Sequence, residues 1–277
     1  MIIDFHTHIF PPLVKENREK FFEDPGFRLL YSSKEAKIIT AEELVSAMEE
    51  NGVSRSVTFG FPWRDEKNYK MHNDYIIESV LKFPDKLWGL CCLYPINKNA
   101  EKEVERCLNA GLKGVGEIAF YDSDITSEVG DSLRGIAQLC LEHDCPILLH
   151  TNEPVGHIYP GKSPMSLSGL YSLLKSYPDN KFVLAHWGGG LFFYGLMKRE
   201  VKDVLKNVWF DTAASPYLYK KDIYTIASYI LGPEKIIFGS DYPLIPPSRY
   251  FDEMEQAGIS FEEAEKITGK NASGLLK

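Results

Sequence analysis

Short apolar, β-branched runs alternate with amphipathic stretches along almost the whole chain. The runs fall at residues 2–6, 54–59, 87–93, 114–118, 146–150, 181–186, 208–211 and 235–239. Near-continuous apolar runs of this length suit parallel strands that are buried on both faces. Between them the period changes to that of a helix. Thr40 precedes residues 41–50, Thr40 with Glu43 makes a capping-box pattern, and Asn51 and Gly52 supply a stop. Residues 99–110 carry Val104, Cys107 and Leu108 on one stripe before Gly111, and residues 133–143 carry Leu133, Ile136, Ala137, Cys140 and Leu141 at helical spacing. Segments 167–174, 192–205, 223–231 and 261–277 read as further helices. Strands followed in turn by helical sequence predict an α/β fold, a single (β/α)8 TIM barrel over residues 1–277. A doubly wound open sheet is the runner-up. Segment 10–39 is longer than a usual connection and is expected to carry a loop or lid over the site.

Composition narrows the class. Hydrophobic residues make up 44% of the 277 and charged residues 25%, which excludes a disordered or fibrous chain. The length matches the roughly 250 residues of a (β/α)8 barrel, and a core of that size needs no covalent staple. The net charge of -8 argues against a nucleic-acid or anionic-membrane partner and leaves a small molecule as the expected one. A homo-oligomer is compatible with everything in the chain. No apolar run approaches the roughly 18 residues needed to span a bilayer. The N-terminal residues lack the charged start and apolar stretch of a signal peptide, so the expected location is the cytoplasm. The 5 cysteines contain no C-x-x-C pair and read as reduced, buried hydrophobes, with Cys91 and Cys92 on opposite faces of a strand. A serine nucleophile elbow is missing, and no cysteine has the exposed setting of a nucleophile.

The candidate chemistry sits at strand ends. His6 and His8 end the first run two residues apart, so both rings share a face. His150 ends the fifth run, His186 ends the sixth, and Asp241 follows the eighth. In a barrel, C-terminal strand ends converge on one site. Imidazoles and a carboxylate from separate strands match a divalent metal, zinc being the first choice. Asp211, ending the seventh run, is expected to support a ligand. Trp187 beside His186 and Trp63 after the second run are expected to form walls. Arg64, His157 and Lys162 are candidate contacts for an anionic substrate group. Gly188, Gly189 and Gly190 allow close backbone approach but lack the context of a phosphate loop. His72 and His143 lie in helical stretches and read as structural or surface residues.

Four motifs together resemble the amidohydrolase superfamily, in the amidohydrolase-2 branch of aminocarboxymuconate-semialdehyde decarboxylase-like proteins. They are Asp4-Phe5-His6-Thr7-His8, Leu149-His150-Thr151, Ala185-His186-Trp187-Gly188-Gly189 and Gly239-Ser240-Asp241-Tyr242-Pro243. The resemblance implies His6, His8, His150 and Asp241 as ligands of a catalytic metal. It implies His186 as an imidazole that polarises substrate or joins a second ion. Gly116-Glu117-Ile118 is similar to the strand-four motif of TatD-like deoxyribonucleases, which makes Glu117 either a ligand, in a site of one or two ions, or a partner of a ligating histidine. No lysine stands at that strand end, so a carbamylated-lysine bridge is disfavoured. The expected reaction is hydrolysis of an amide, ester or lactone bond in a small, carboxylated metabolite by a metal-activated water, with Asp241 as general base. Metal-dependent decarboxylation is the alternative, and an inactive ligand-binding barrel is the second alternative.

Overall fold

The protein is described by a computed structural model covering residues 1–276; Lys277, the end of the last predicted helix, lies outside the described residues. All eight apolar runs form strands: β1 (Ile3–His8), β2 (Arg55–Phe59), β3 (Leu87–Gly89), β4 (Val115–Ile118), β5 (Ile147–Leu149), β6 (Phe182–Leu184), β7 (Val208–Asp211) and β8 (Ile236–Ile237). The fold is α/β with parallel sheets. Strands β1 to β3 make one sheet and β4 to β8 another, each in chain order. That order lacks the reversal of a doubly wound sheet. Backbone hydrogen bonds join the two sheets at both edges. At one, Cys91 N–H donates to the Gly114 carbonyl at 2.9 Å and Gly116 N–H to the Cys91 carbonyl at 2.8 Å. At the other, Phe5 N–H donates to Phe238 and His8 N–H to Tyr242, both at 2.8 Å.

Apolar burial on both faces explains the unbroken runs. In β5, Ile147 and Leu149 join the core under the helices, while Leu148 joins a second cluster with Phe5, Val57, Phe59, Cys92 and Val183. Cys91 and Cys92 divide in the same way, as the pleat requires. All five cysteines are buried and unpaired.

The helices follow their signals closely where caps were legible. Ala41–Glu50 starts with both bonds of the Thr40/Glu43 capping box, and Ala100–Asn109, Arg134–Glu142, Leu167–Ser176 and Ile223–Leu231 lie within a few residues of expectation. Segment 192–205 departs from it: residues His186–Leu196 form tight 3-10 turns, and only Val201–Val204 is α-helical. The cause lies upstream, where His186 to Gly190 all have positive φ, and a run of left-handed residues cannot feed a right-handed helix. The last predicted helix is three joined pieces, Phe261–Glu265, a wider π turn at Lys266–Lys270, and Asn271–Leu275. Segment 10–39 forms two short helices, Pro12–Glu16 and Pro25–Tyr31, and brings Tyr31 and Lys37 over the strand ends. Among the described residues no helix is long and apolar enough to cross a membrane.

Candidate metal centre

The strand ends meet as their sequence positions require. His6 is fully buried, and its Nδ1–H donates to Asp211 Oδ2 at 2.8 Å. That bond fixes the tautomer and turns the Nε2 lone pair inward. Nε2 is fully buried and has no hydrogen-bond partner among the described residues. Around it lie Asp241 Oδ1 at 3.6 Å and Glu117 Oε2 at 3.8 Å. His8 Nε2 stands 3.3 Å from Asp241 Oδ1 and 3.8 Å from Glu117 Oε2. Two overlapping sets of donor atoms are close enough to share an ion: His6, His8 and Asp241, and His6, Glu117 and His186.

The electrostatics call for a cation at this point. Burial alone would push the His6 imidazole down. The carboxylates of Asp211, Glu117 and Asp241 outweigh burial and raise it to about 10. Burial would raise Glu117, but His150, His6 and His186 hold it near 2. Asp241 is held well below the usual carboxylate range: burial is outweighed by the hydrogen bond from His8 and the nearby imidazoles. The carboxylates favour positive charge at His6 Nε2, which has no hydrogen-bond partner; a divalent ion in place of its proton fits there, and the mixed imidazole and carboxylate donors suit zinc or manganese.

Backbone geometry holds these groups in place. Asp4, buried beside His6, accepts hydrogen bonds from the backbone and hydroxyl of Ser240, which fixes the turn before Asp241. Burial raises the Asp4 carboxyl to about 7. Asp241 itself sits at φ 59°, in the left-handed region. The left-handed turn after β6 aims His186: its Nδ1–H donates to the Ala213 carbonyl at 2.9 Å, leaving Nε2 facing Glu117 Oε1 at 3.7 Å. Gly189 is required in that turn, because a Cβ there would lie 2.2 Å from the Asn152 carbonyl oxygen.

The other expected site residues divide. His150, expected as a ligand, lies at the centre but in neither donor set: Nδ1 bonds Glu117 Oε1 at 2.9 Å and Nε2 bonds the Gly161 carbonyl at 2.9 Å. Glu117 is therefore both a donor toward the centre and a partner of a histidine. The wall residues need correction. Trp63 is fully buried, with its indole N–H on His72 Nδ1 at 2.9 Å and its ring packed on Phe27. Trp187 is fully buried, with its N–H on Ser215 Oγ at 2.9 Å. Each flanks a functional position in sequence but turns away from it. Arg64 pairs with Asp122 at 2.6 Å, half exposed, and lines a side cavity of about 200 Å³. Lys162 is folded into its own loop on Glu153, so its ammonium is not offered to a ligand. His157 does line the mouth. His72 is structural, as expected.

Above the centre lies a cavity of about 520 Å³ that His8, Glu117, His150, His186 and Asp241 floor. Its walls include Tyr31, Phe61, Tyr121, Tyr159 and Tyr217, and Lys37 stands at the rim. Phe61 comes from the run 61–64 and Tyr159 from the loop 151–162, both expected beside the mouth; Tyr31, Tyr121 and Tyr217 were not expected there. Tyr121, just past the end of β4, and Tyr31, inside the expected lid, were the available signals.

The family model described as amidohydrolase matches residues 3–277, and the chain belongs to that family. It is 23% identical over 264 residues to the gamma-resorcylate decarboxylase of a Polaromonas species, covering 77% of each. Two solved structures share its fold. One is a 5-carboxyvanillate decarboxylase from Novosphingobium aromaticivorans complexed with manganese and 4-hydroxy-3-methoxy-5-nitrobenzoic acid, with TM-score 0.79, 15% identity, and coverage of 100% of this chain and 96% of the other. The second is a dihydroxybenzoic acid decarboxylase from Polaromonas with manganese and 2-nitroresorcinol, with TM-score 0.73, 19% identity, and coverage of 99% and 96%.

Proposed function

We propose that the chain is a metal-dependent, non-oxidative decarboxylase of hydroxylated aromatic acids, built as one (β/α)8 barrel domain whose sheets close through the bonds at both edges. The carrying observation is the orphaned His6 Nε2, fully buried between ionised carboxylates at the floor of an aromatic-walled cavity. Decarboxylases among the relatives favour this reading over hydrolysis, the first expectation from sequence. The walls suit a flat ring, and Lys37 offers a cation to an acidic substrate.

His6, His8, Asp241 and Glu117 would hold a single divalent ion, since the donor sets share His6, with His186 beside it. When bound, such an ion stabilises negative charge on the substrate's oxygens. Tyr31, Phe61 and Tyr121 hold the ring and exclude water. Asp241, kept ionised by its imidazoles, takes the proton of a ring hydroxyl that enters beside it and delivers that proton from Oδ to the ring carbon bearing the carboxylate, the product leaving as a phenolate that regains its proton from water. The carbon–hydrogen bond forms, the carbon–carbon bond breaks, and carbon dioxide leaves with both carboxylate oxygens. His186 Nε2, kept as a lone pair, accepts a hydrogen bond from a ring hydroxyl.

The test measures carbon dioxide release from 2,6-dihydroxybenzoate and 5-carboxyvanillate in the presence of manganese, against a panel of esters, lactones and amides. Release from a hydroxybenzoate is the expected result. Cleavage of the panel without carbon dioxide would return the site to hydrolysis.

A further inference from the structure

Asp211 ends β7 between two imidazoles that come from other strands. It is fully buried, and its two oxygens serve the two imidazoles in different ways. Oδ2 accepts the Nδ1–H of His6 at 2.8 Å. Oδ1 accepts two backbone N–H groups, those of His186 and Ala213, both at 2.9 Å. The Ala213 carbonyl in turn accepts the His186 Nδ1–H at 2.9 Å. A ring of hydrogen bonds therefore runs from Asp211 through Ala213 to the side chain of His186 and back through its N–H. His186 opens the left-handed run at φ 54°, a conformation that a non-glycine residue keeps only where its surroundings hold it.

The carboxylate has little freedom to leave either partner. Thr212 ties its strand end to the turn before Asp241: the hydroxyl donates to the Gly239 carbonyl at 2.9 Å and accepts the Gly239 N–H at 3.1 Å. Gly239 packs so closely that a Cβ there would lie 2.7 Å from His6 Cβ and 3.5 Å from Asp211 Cγ. We propose that Asp211 is a positioning residue with two separable tasks. Oδ2 keeps the His6 proton on Nδ1, so that Nε2 is free for the ion. Oδ1 holds the left-handed turn that aims His186. The consequence for turnover rests on the decarboxylase reading above. The two tasks within the protein do not.

Two variants of the full chain pull these tasks apart. In Asp211→Asn the amide oxygen can serve two backbone N–H groups on one side or one imidazole on the other. Two bonds outweigh one, so the oxygen stays on the backbone and the amide NH2 faces His6 Nδ1. A donor against Nδ1 drives the imidazole proton to Nε2, in competition with the ion. Asp211→Ala does the reverse: it leaves His6 Nδ1 unopposed and strips both backbone N–H groups of their acceptor. Manganese affinity, measured by titrating the metal-free chain, should fall about tenfold or more in Asp211→Asn and no further in Asp211→Ala. Hydrogen exchange over 185–190 and 212–214 should stay within about threefold of wild type in Asp211→Asn and rise about tenfold or more in Asp211→Ala, with the other strands unchanged. General support of the fold does not produce that crossed pattern. Equal losses of both kinds in the two variants, or unchanged manganese affinity in Asp211→Asn, would overturn the proposal. At saturating manganese, kcat should recover to within about threefold of wild type in Asp211→Asn and stay about tenfold low in Asp211→Ala, because displacement of a positioned group costs rate. Wild-type kcat in Asp211→Ala would overturn the link to His186. Should Asp211→Ala fail to fold, Asp211→Ser, which also lacks the two carboxylate oxygens, takes its place in every arm. If the wild type releases no carbon dioxide, the decarboxylase reading fails while affinity and exchange still decide the two tasks.

Discussion

His6 and His72 are both buried to within 1% of full exclusion, yet they do opposite things. His72, in the helix Glu66–Lys82, accepts from the Trp63 indole at Nδ1 and donates from Nε2 to the Ile9 carbonyl at 2.7 Å. Every polar atom is satisfied, no carboxylate is close, and burial lowers the imidazole to about 4. His6 has one nitrogen held by Asp211, one left open, and carboxylates around it that raise it to about 10. Burial is common to both and marks neither as functional. The unpartnered atom and the surplus of negative charge make the difference.

The largest expected effect strikes the His6 side of this contrast. Asp241→Asn removes a carboxylate from the centre and the proposed proton carrier, and should lower turnover about 10³-fold while circular dichroism stays native. Turnover within tenfold of wild type would remove Asp241 from the chemistry. Chelation comes next. An ion that binds only the folded chain stabilises it by about 3 kcal/mol at a hundredfold excess over Kd, so stripping and restoring manganese should shift the melting temperature reversibly. A melting temperature indifferent to metal would erase the distinction between the two histidines.

The His72 side predicts a pH dependence of definite sign. The unfolded imidazole takes up a proton below its ordinary 6.5, whereas the folded one does so only near 4. The unfolded state thus binds more protons between those values, and stability falls as pH falls through that window, by about 2 kcal/mol from pH 7 to pH 5. Urea midpoints at the two pH values should show this loss, and it should shrink in His72→Gln. An equal loss in the variant would assign it to other groups. The smallest effect belongs to Arg64→Ala. Its ion pair with Asp122 is 39% and 56% exposed, so stability should change by less than about 1 kcal/mol and turnover by less than about twofold. A large rise in KM would restore Arg64 as a substrate contact.

The floor of the site was legible in the sequence and only part of its walls was, Phe61 and His157 among them, for a physical reason. Strand periodicity fixes where a side chain points, so His6 and His8 two apart, and His186 and Asp241 at other strand ends, had to converge once the strands were placed. Loop residues have no such rule. Trp63, Arg64, Lys162 and Trp187 carry a suggestive chemical type and lie near a motif, and neither property sets where they point. A left-handed turn sends Trp187 away from His186, Trp63 closes on His72, and Lys162 finds its partner nine residues back in Glu153. His150, expected as a ligand, stands at the centre with its nitrogens on Glu117 and a loop carbonyl. Its second bond, to a carbonyl eleven residues on, depends on how the loop folds back and left no mark on the sequence.

His6 Nε2 is the proposed focus of a single cation. Anomalous diffraction at the manganese edge, from crystals grown with that metal, measures this directly. One strong peak in bonding reach of His6 Nε2, His8 Nε2 and Asp241 is the predicted result. Density without a peak there, or an ion held elsewhere with His6 Nε2 facing only protein, would contradict it.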